Sequence, residues 1–117
     1  MQNIIIVEDD DELLELYTQE FSDEGYSVIP ISNGRDVLAK VKESNPALIV
    51  LDIPLRDFDG LELLDQIRGV SFKLPVILNS VFSAIKDNFT SWLADDCIIK
   101  SSDLTELKLA IRKYALL

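Results

Sequence analysis

Histidine is absent from all 117 residues, which removes imidazole acid-base catalysis, imidazole metal ligation and any phosphohistidine carried by this chain. The single cysteine, Cys97, excludes an internal disulfide. Basic residues are few: 11 Lys and Arg stand against 21 Asp and Glu, and the formal charge of −10 repels nucleic-acid phosphates and anionic membrane surfaces. Neither DNA reading nor membrane adsorption is expected of this chain. No apolar run approaches the roughly 20 residues that span a bilayer, and the first residues lack the basic flank and apolar stretch of a signal peptide. A soluble, cytoplasmic protein is expected. With 4 Gly and 4 Pro there is no linker-like tract, and no repeat or low-complexity segment is visible.

What is present is apolar: 48% of the chain, enough at this length for one hydrophobic core, so residues 1–117 read as one domain with no attached output domain. Runs rich in β-branched residues predict strands at Ile4–Glu8, Tyr26–Ser32, Ala47–Asp52, Pro75–Ser80 and Cys97–Lys100. Between them, helical spacing predicts Asp10–Glu24 (Leu13, Tyr17, Phe21), Gly34–Glu43 (Val37, Leu38, Val41), Gly60–Arg68 (Leu61, Leu64, Ile67) and Ser83–Leu93. A last helix, Leu104–Leu117, carries Leu104, Leu107, Ile111 and Tyr114 on one face and opens on Asp103 and Glu106 in a capping pattern. Strict βα alternation with such apolar strands implies an α/β fold, a five-stranded parallel sheet covered by five helices on both faces. The flavodoxin-like order 2-1-3-4-5 puts Pro30 on an edge strand, where its missing N–H costs least.

Ligands of open α/β sheets bind beyond the carboxyl ends of the strands, near the point where strand order reverses. Those ends hold Glu8 and Asp9, Asp52, Asn79 and Ser80, and Lys100. Each has an ordinary reading by itself. In "VEDDDE" (residues 7–12), Asp10, Asp11 and Glu12 suit the positive end of a helix dipole. Lys100 alone would be a solvated terminus and Ser80 a turn residue. Asp52 is different, because a carboxylate closing "ALIVL" carries a desolvation penalty unless something pairs with it.

Taken together, "IIIVEDD" (4–10), "ALIVLDIPLRDFDGLELLDQIR" (47–68), "LPVILNS" (74–80) and "IIK" (98–100) resemble the receiver domain of bacterial two-component response regulators, of the stand-alone type. The resemblance implies Asp52 as phospho-acceptor, Ser80 as switch hydroxyl and Lys100 as the lysine of that pattern. It also implies Mg²⁺ (or Mn²⁺) held by Glu8, Asp9, Asp52 and the backbone carbonyl of Pro54. Such a cation suits an all-oxygen site and relieves the self-repulsion of the acidic run. The implied partners are a sensor histidine kinase or histidine phosphotransfer protein, and an output protein on the face made by the fourth predicted helix, fifth strand and last helix. A monomer and a weak homodimer are equally compatible. Catalysis would be limited to the chain's own phosphorylation and dephosphorylation.

Two other readings stay open, a pseudo-receiver that docks without phosphorylation and an aspartate-nucleophile phosphohydrolase. Against the latter, Pro54 stands where such enzymes carry a second Asp. The chain also departs from the family pattern. Ser101 follows Lys100 in place of proline, and a cis bond there would cost roughly 2.5–4 kcal/mol, so trans is expected. Cys97 replaces the usual aromatic, and the shortened Ser80–Lys100 segment implies a short or skewed fourth helix, whose Phe82, Ile85, Phe89 and Trp92 read as a core stripe. Pro54 and Phe82 offer no polar group to orient water, which implies a long-lived phosphate.

Overall fold

The computed structural model of the chain describes residues 2–81 and 93–115. The elements are β1 (Asn3–Val7), α1 (Asp11–Asp23), β2 (Ser27–Ile31), α2 (Val37–Ser44), β3 (Leu48–Ile53), α3 (Gly60–Val70), β4 (Val76–Ser80), β5 (Asp96–Ile99) and α4 (Thr105–Tyr114). The five strands form one sheet in the order β2-β1-β3-β4-β5, with every pair parallel. Pro30 lies on the edge strand β2, opposite Ile6. Four helices lie among the described residues; the helix expected at Ser83–Leu93 falls outside them except for Leu93.

Side chains of a strand alternate between faces, and here both faces are buried. On one, Ile5, Val7, Ile49, Leu51, Val76 and Leu78 pack with Val37 and Val41 of α2 and Leu63, Leu64 and Ile67 of α3. On the other, Ile4, Ile6, Leu48, Val50, Ile77 and Ile98 pack with Leu14, Tyr17 and Phe21 of α1 and Leu107, Ala110 and Ile111 of α4. The helical stripes therefore sit slightly off the expected ones: Leu14 is buried where Leu13 is only partly so, and Leu63 where Leu61 is partly so. A helix packed on a sheet buries a face wider than one row, so several four-residue spacings fit the same sequence.

Helix ends follow local hydrogen bonds. The Asp10 carboxylate accepts from the N–H groups of Glu12 and Leu13 (3.1 and 3.2 Å), and Asp59 does the same for Leu61 and Glu62 (2.9 and 3.4 Å). α2 starts at Val37, the first residue of its stripe and three residues later than the expected Gly34, because Asn33 and Asp36 tie the preceding residues into a closed turn. The Asn33 amide donates to Asp36 Oδ2 (2.9 Å), and Asp36 N–H donates to Asn33 Oδ1 (3.0 Å). At α4, Asp103 accepts from Thr105 N–H (2.9 Å). No helix among the described residues is long and apolar enough to cross a membrane.

The loop from β3 to α3 carries much of the candidate site, and it is anchored by Gly60. A Cβ there would lie 2.0 Å from Ile53 Cγ2, on a stiff β-branched side chain that is itself buried. Gly60→Ala is therefore expected to lower stability by about 1–3 kcal/mol, the usual cost of overpacking. Urea unfolding followed by circular dichroism checks this; an unchanged midpoint would show that Ile53 yields freely.

Candidate functional site

Three parallel strands deliver charged side chains to one place. Glu8 follows β1, Asp52 is the next-to-last residue of β3, and Lys100 follows β5. The Lys100 ammonium lies 2.5 Å from Glu8 Oε1 and 3.3 Å from Asp52 Oδ2. Both carboxylates are buried, Asp52 at 0% exposure and Glu8 at 1%. Backbone bonds hold the strand ends together: Glu8 N–H donates to Ile31 O (3.0 Å), Lys100 N–H to Ser80 O (2.6 Å) and Val81 N–H to Ile53 O (3.4 Å).

One ammonium between two carboxylates leaves the cluster short of positive charge. Neither Asp52 oxygen accepts a hydrogen bond, the 3.3 Å approach of Lys100 being an ion pair off the hydrogen-bonding direction. Burial, followed by the proximity of the Glu8 carboxylate, pushes the Asp52 carboxyl well above the ordinary carboxylate range; Lys100 and Asn79 pull it down without prevailing. Lys100 is pushed the other way. Burial works against its ammonium, but Glu8 and Asp52 outweigh that and raise its pKa above the usual lysine value.

Beneath Asp52 lies a polar pair. Asn79, directly opposite Asp52 in the β3–β4 register, donates its amide to the Tyr17 hydroxyl at 3.1 Å in the buried layer under α1. Burial, with the charge of Asp52, raises the Tyr17 pKa to about 12. Tyr17 was expected only as a core residue, and Asn79 only as a strand end. The signal for the pair was a polar residue in a strand read as buried, since such a residue requires a partner. Ser80, also fully buried, sits one residue on, in register with Ile53 and on the opposite face of the strand from Asn79.

Asp9 and Pro54 lie further out. Asp9 Oδ2 accepts from Arg56 N–H (2.6 Å) and Nε (3.3 Å), and Arg56 Nη2 donates to the Asp9 carbonyl oxygen (2.8 Å). Burial pushes the Asp9 carboxyl up, but these bonds outweigh it and hold it below its ordinary value. Pro54 is exposed and follows a cis Ile53–Pro54 bond, the only cis bond among the described residues; Lys100–Ser101 is trans, as expected. In the same loop, Asp57 accepts Gly34 N–H at 3.0 and 3.1 Å. Arg56 and Asp57 belong to a loop whose polar side chains have no periodicity to betray their partners. Phe82, Ile85, Phe89 and Trp92 lie outside the described residues.

Among the described residues no three acidic or cysteine side chains converge as metal ligands. The donor chemistry nevertheless fits a hard divalent cation. Asp52 has two buried oxygens without hydrogen bonds, Glu8 supplies a second carboxylate, and Asp9 stands at the rim with its carboxylate turned to Arg56. The residues that would hold the cation are Asp52, Asp9, the Pro54 carbonyl and, through water, Glu8.

The architecture defines a doubly wound α/β protein with an acidic, lysine-bridged site at the carboxyl ends of its central strands. The chain belongs to the response regulator receiver domain family, which it matches over residues 4–112. It is 34% identical to the regulatory protein VanRc of Enterococcus gallinarum over 97% of this chain and 51% of that protein. It thus spans about half the length of the curated relatives it matches. Among solved structures, the response regulator TrrA of Thermotoga maritima in complex with Mg²⁺-BeF is 32% identical, with a TM-score of 0.93 over 97% of this chain and 99% of that one. TrrA in complex with the histidine kinase ThkA aligns with a TM-score of 0.91 at 32% identity, over 97% of this chain and 98% of that one.

Because Asp52 binds its proton more tightly in the folded chain than in the unfolded one, wild-type stability should fall as pH rises from about 4, the unfolded value, through the raised native pKa. Asp52→Asn removes that slope and one of two like charges, while Glu8 keeps Lys100 paired. In EDTA at neutral pH the variant should be more stable by about 1–3 kcal/mol, the usual cost of an unsatisfied buried group. Urea unfolding across this pH range decides it: a variant less stable than wild type at neutral pH would mean that Lys100 fully compensates Asp52.

Proposed function

We propose that this chain is a phospho-accepting signalling module, which takes a phosphoryl group onto Asp52 from the phosphohistidine of a sensor histidine kinase or phosphotransfer protein and signals through protein contacts. The observation that carries the reading is Asp52 itself: fully buried, at the end of the central strand, with both oxygens lacking hydrogen bonds beside a lysine. A buried carboxylate without protein partners calls for an ion, a water or a chemical role at that point. The kinase-bound state of TrrA supports a kinase as partner. A cytoplasmic location and catalysis limited to the chain's own phosphoryl group belong to the same reading.

An ionised Asp52 oxygen forms a bond to phosphorus as the donor's P–N bond breaks, and the leaving imidazole keeps the electron pair and takes a proton from solvent. Mg²⁺, if held by Asp9, Asp52 and the Pro54 carbonyl, would supply positive charge that keeps the Asp52 carboxylate ionised and offsets the charge of the incoming group. Lys100 neutralises charge on the transferring group, as its 3.3 Å approach to Asp52 allows. Val81 N–H, now on a long 3.4 Å bond to Ile53 O, loses little by turning to a phosphoryl oxygen. Ser80 is drawn the same way, and a bond made in only one of two packings shifts the population toward that packing. The surface beyond β4 and β5 would then be read by the output partner.

The Asp9–Arg56 engagement favours a second reading, a docking module that holds its acidic site closed without phosphorylation. Intact-mass analysis after incubation with acetyl phosphate and Mg²⁺ separates the two. One phosphate is expected on the wild type and none on Asp52→Asn; no gain on either supports the docking module. Mg²⁺ should also raise the melting temperature of the wild type, by about 1.4 kcal/mol of stability at tenfold excess over Kd. An equal shift in Asp9→Asn would remove Asp9 from the ligand set.

A further inference from the structure

Arg56 lies in the β3–α3 loop, and its contacts converge on one residue. Its backbone N–H and Nε reach Asp9 Oδ2 at 2.6 and 3.3 Å, and its Nη2 reaches the Asp9 carbonyl oxygen at 2.8 Å. The Arg56 side chain is 80% exposed while that of Asp9 is 16% exposed, so the guanidinium caps the acidic site from the solvent side. Lys100 pairs with Glu8 and Asp52 and does not figure among the partners of Asp9. Two cations thus divide three carboxylates between them, one inside and one at the rim.

We propose that Arg56 is a tethered counter-ion that competes with the divalent cation for Asp9, and so sets the Mg²⁺ concentration at which the site assembles. The inference rests on the reading of Glu8, Asp9 and Asp52 as a cation seat. Three features support competition over simple bracing. Asp9 Oδ2 is already taken by Arg56, so a cation shared with Asp52 must compete for that oxygen, and no three acidic side chains among the described residues converge in this arrangement. The guanidinium adds positive charge where a divalent ion must approach, which opposes binding whatever the side chain's exact position. An exposed pair of this kind shifts an equilibrium by at most about fivefold, so a divalent cation can displace it. By linkage, the cation must release Arg56 by the same factor that Arg56 opposes the cation. Metal occupancy is thereby converted into a freed positive charge on the rim of the site.

The two roles differ in sign. If Arg56 only braced Asp9, its removal would loosen a ligand and weaken Mg²⁺ binding; as a competitor, its removal strengthens binding. Calorimetric titration of the full chain with MgCl₂, comparing wild type, Arg56→Ala, Arg56→Lys and Asp52→Asn, reads this directly. Arg56→Ala should bind about fivefold more tightly than wild type. Arg56→Lys, which keeps the charge and loses the fork, should fall between them. In parallel, the Arg56 Nε–H resonance of the wild type should move on Mg²⁺ addition. Equal or weaker binding by Arg56→Ala, with binding still lost in Asp52→Asn, would overturn the competition and leave the cation seat standing. Absence of Mg²⁺ binding in both wild type and Arg56→Ala would overturn the two together.

Discussion

Everything at the carboxyl edge of this sheet depends on one ammonium group. Lys100 leaves β5 and Glu8 leaves β1, three strand positions apart, a span of about 14 Å at the usual strand spacing. Neither backbone can close that gap, but two long side chains can, and they meet over Asp52 between them, at 2.5 and 3.3 Å. Without Lys100, two fully buried carboxylates would face each other unpaired, a state that several kcal/mol of desolvation would oppose. The salt bridge makes burial of the acids tolerable and leaves them under-compensated.

That incomplete compensation links structure to function. A fully paired Asp52 would be stable and inert, whereas a fully exposed one would be solvated and undistinguished among the many surface acids. Burial raises its pKa, Lys100 moderates the effect, and both oxygens remain without hydrogen bonds. The polar layer below, Asn79 with Tyr17, keeps the floor of the site ordered where an apolar floor would raise the cost of charge further. The rim is closed by the loop from β3 to α3, braced by Asp57 on Gly34 and packed through Gly60 against Ile53. The Pro54 carbonyl proposed for the cation and the Arg56 contact with Asp9 both lie on that loop.

The opposite edge of the sheet is held by a residue with no part in the site. The Arg68 guanidinium, nearly buried, donates to the carbonyl oxygens of Leu93 (2.7 Å), Phe72 (3.1 Å) and Leu74 (2.5 Å) and to Asp95 Oδ2 (2.8 Å). Asp95 in turn accepts Val76 N–H at 2.8 Å. One cation thus ties the end of α3 to the starts of β4 and β5 and so fixes the strands whose far ends carry Ser80 and Lys100. In the sequence Arg68 is one more charged residue at a helix end, where the helix dipole is explanation enough. Its role depends on carbonyl groups that only the folded loops bring together.

Local patterns in the sequence determined the elements and the chemistry of their ends. β-branched runs placed all five strands within a residue or two, alternation made them parallel, and Pro30 at an edge agreed with their order. An acid closing an apolar strand marked Asp52 because desolvation is a property of the residue and its immediate neighbours. The tertiary structure alone decided which charges meet. Arg56 and Asp9 are 47 residues apart and Lys100 and Glu8 are 92 apart, and no periodicity relates them. Strand order and loop path set those pairings, and charges this far apart in sequence come within the roughly 10 Å over which they act only once the chain is folded. The strand-end charges Glu8, Asp52 and Lys100 were therefore legible in the sequence, whereas the parts played by Tyr17 and Arg56 and the division of three acids between two cations were not.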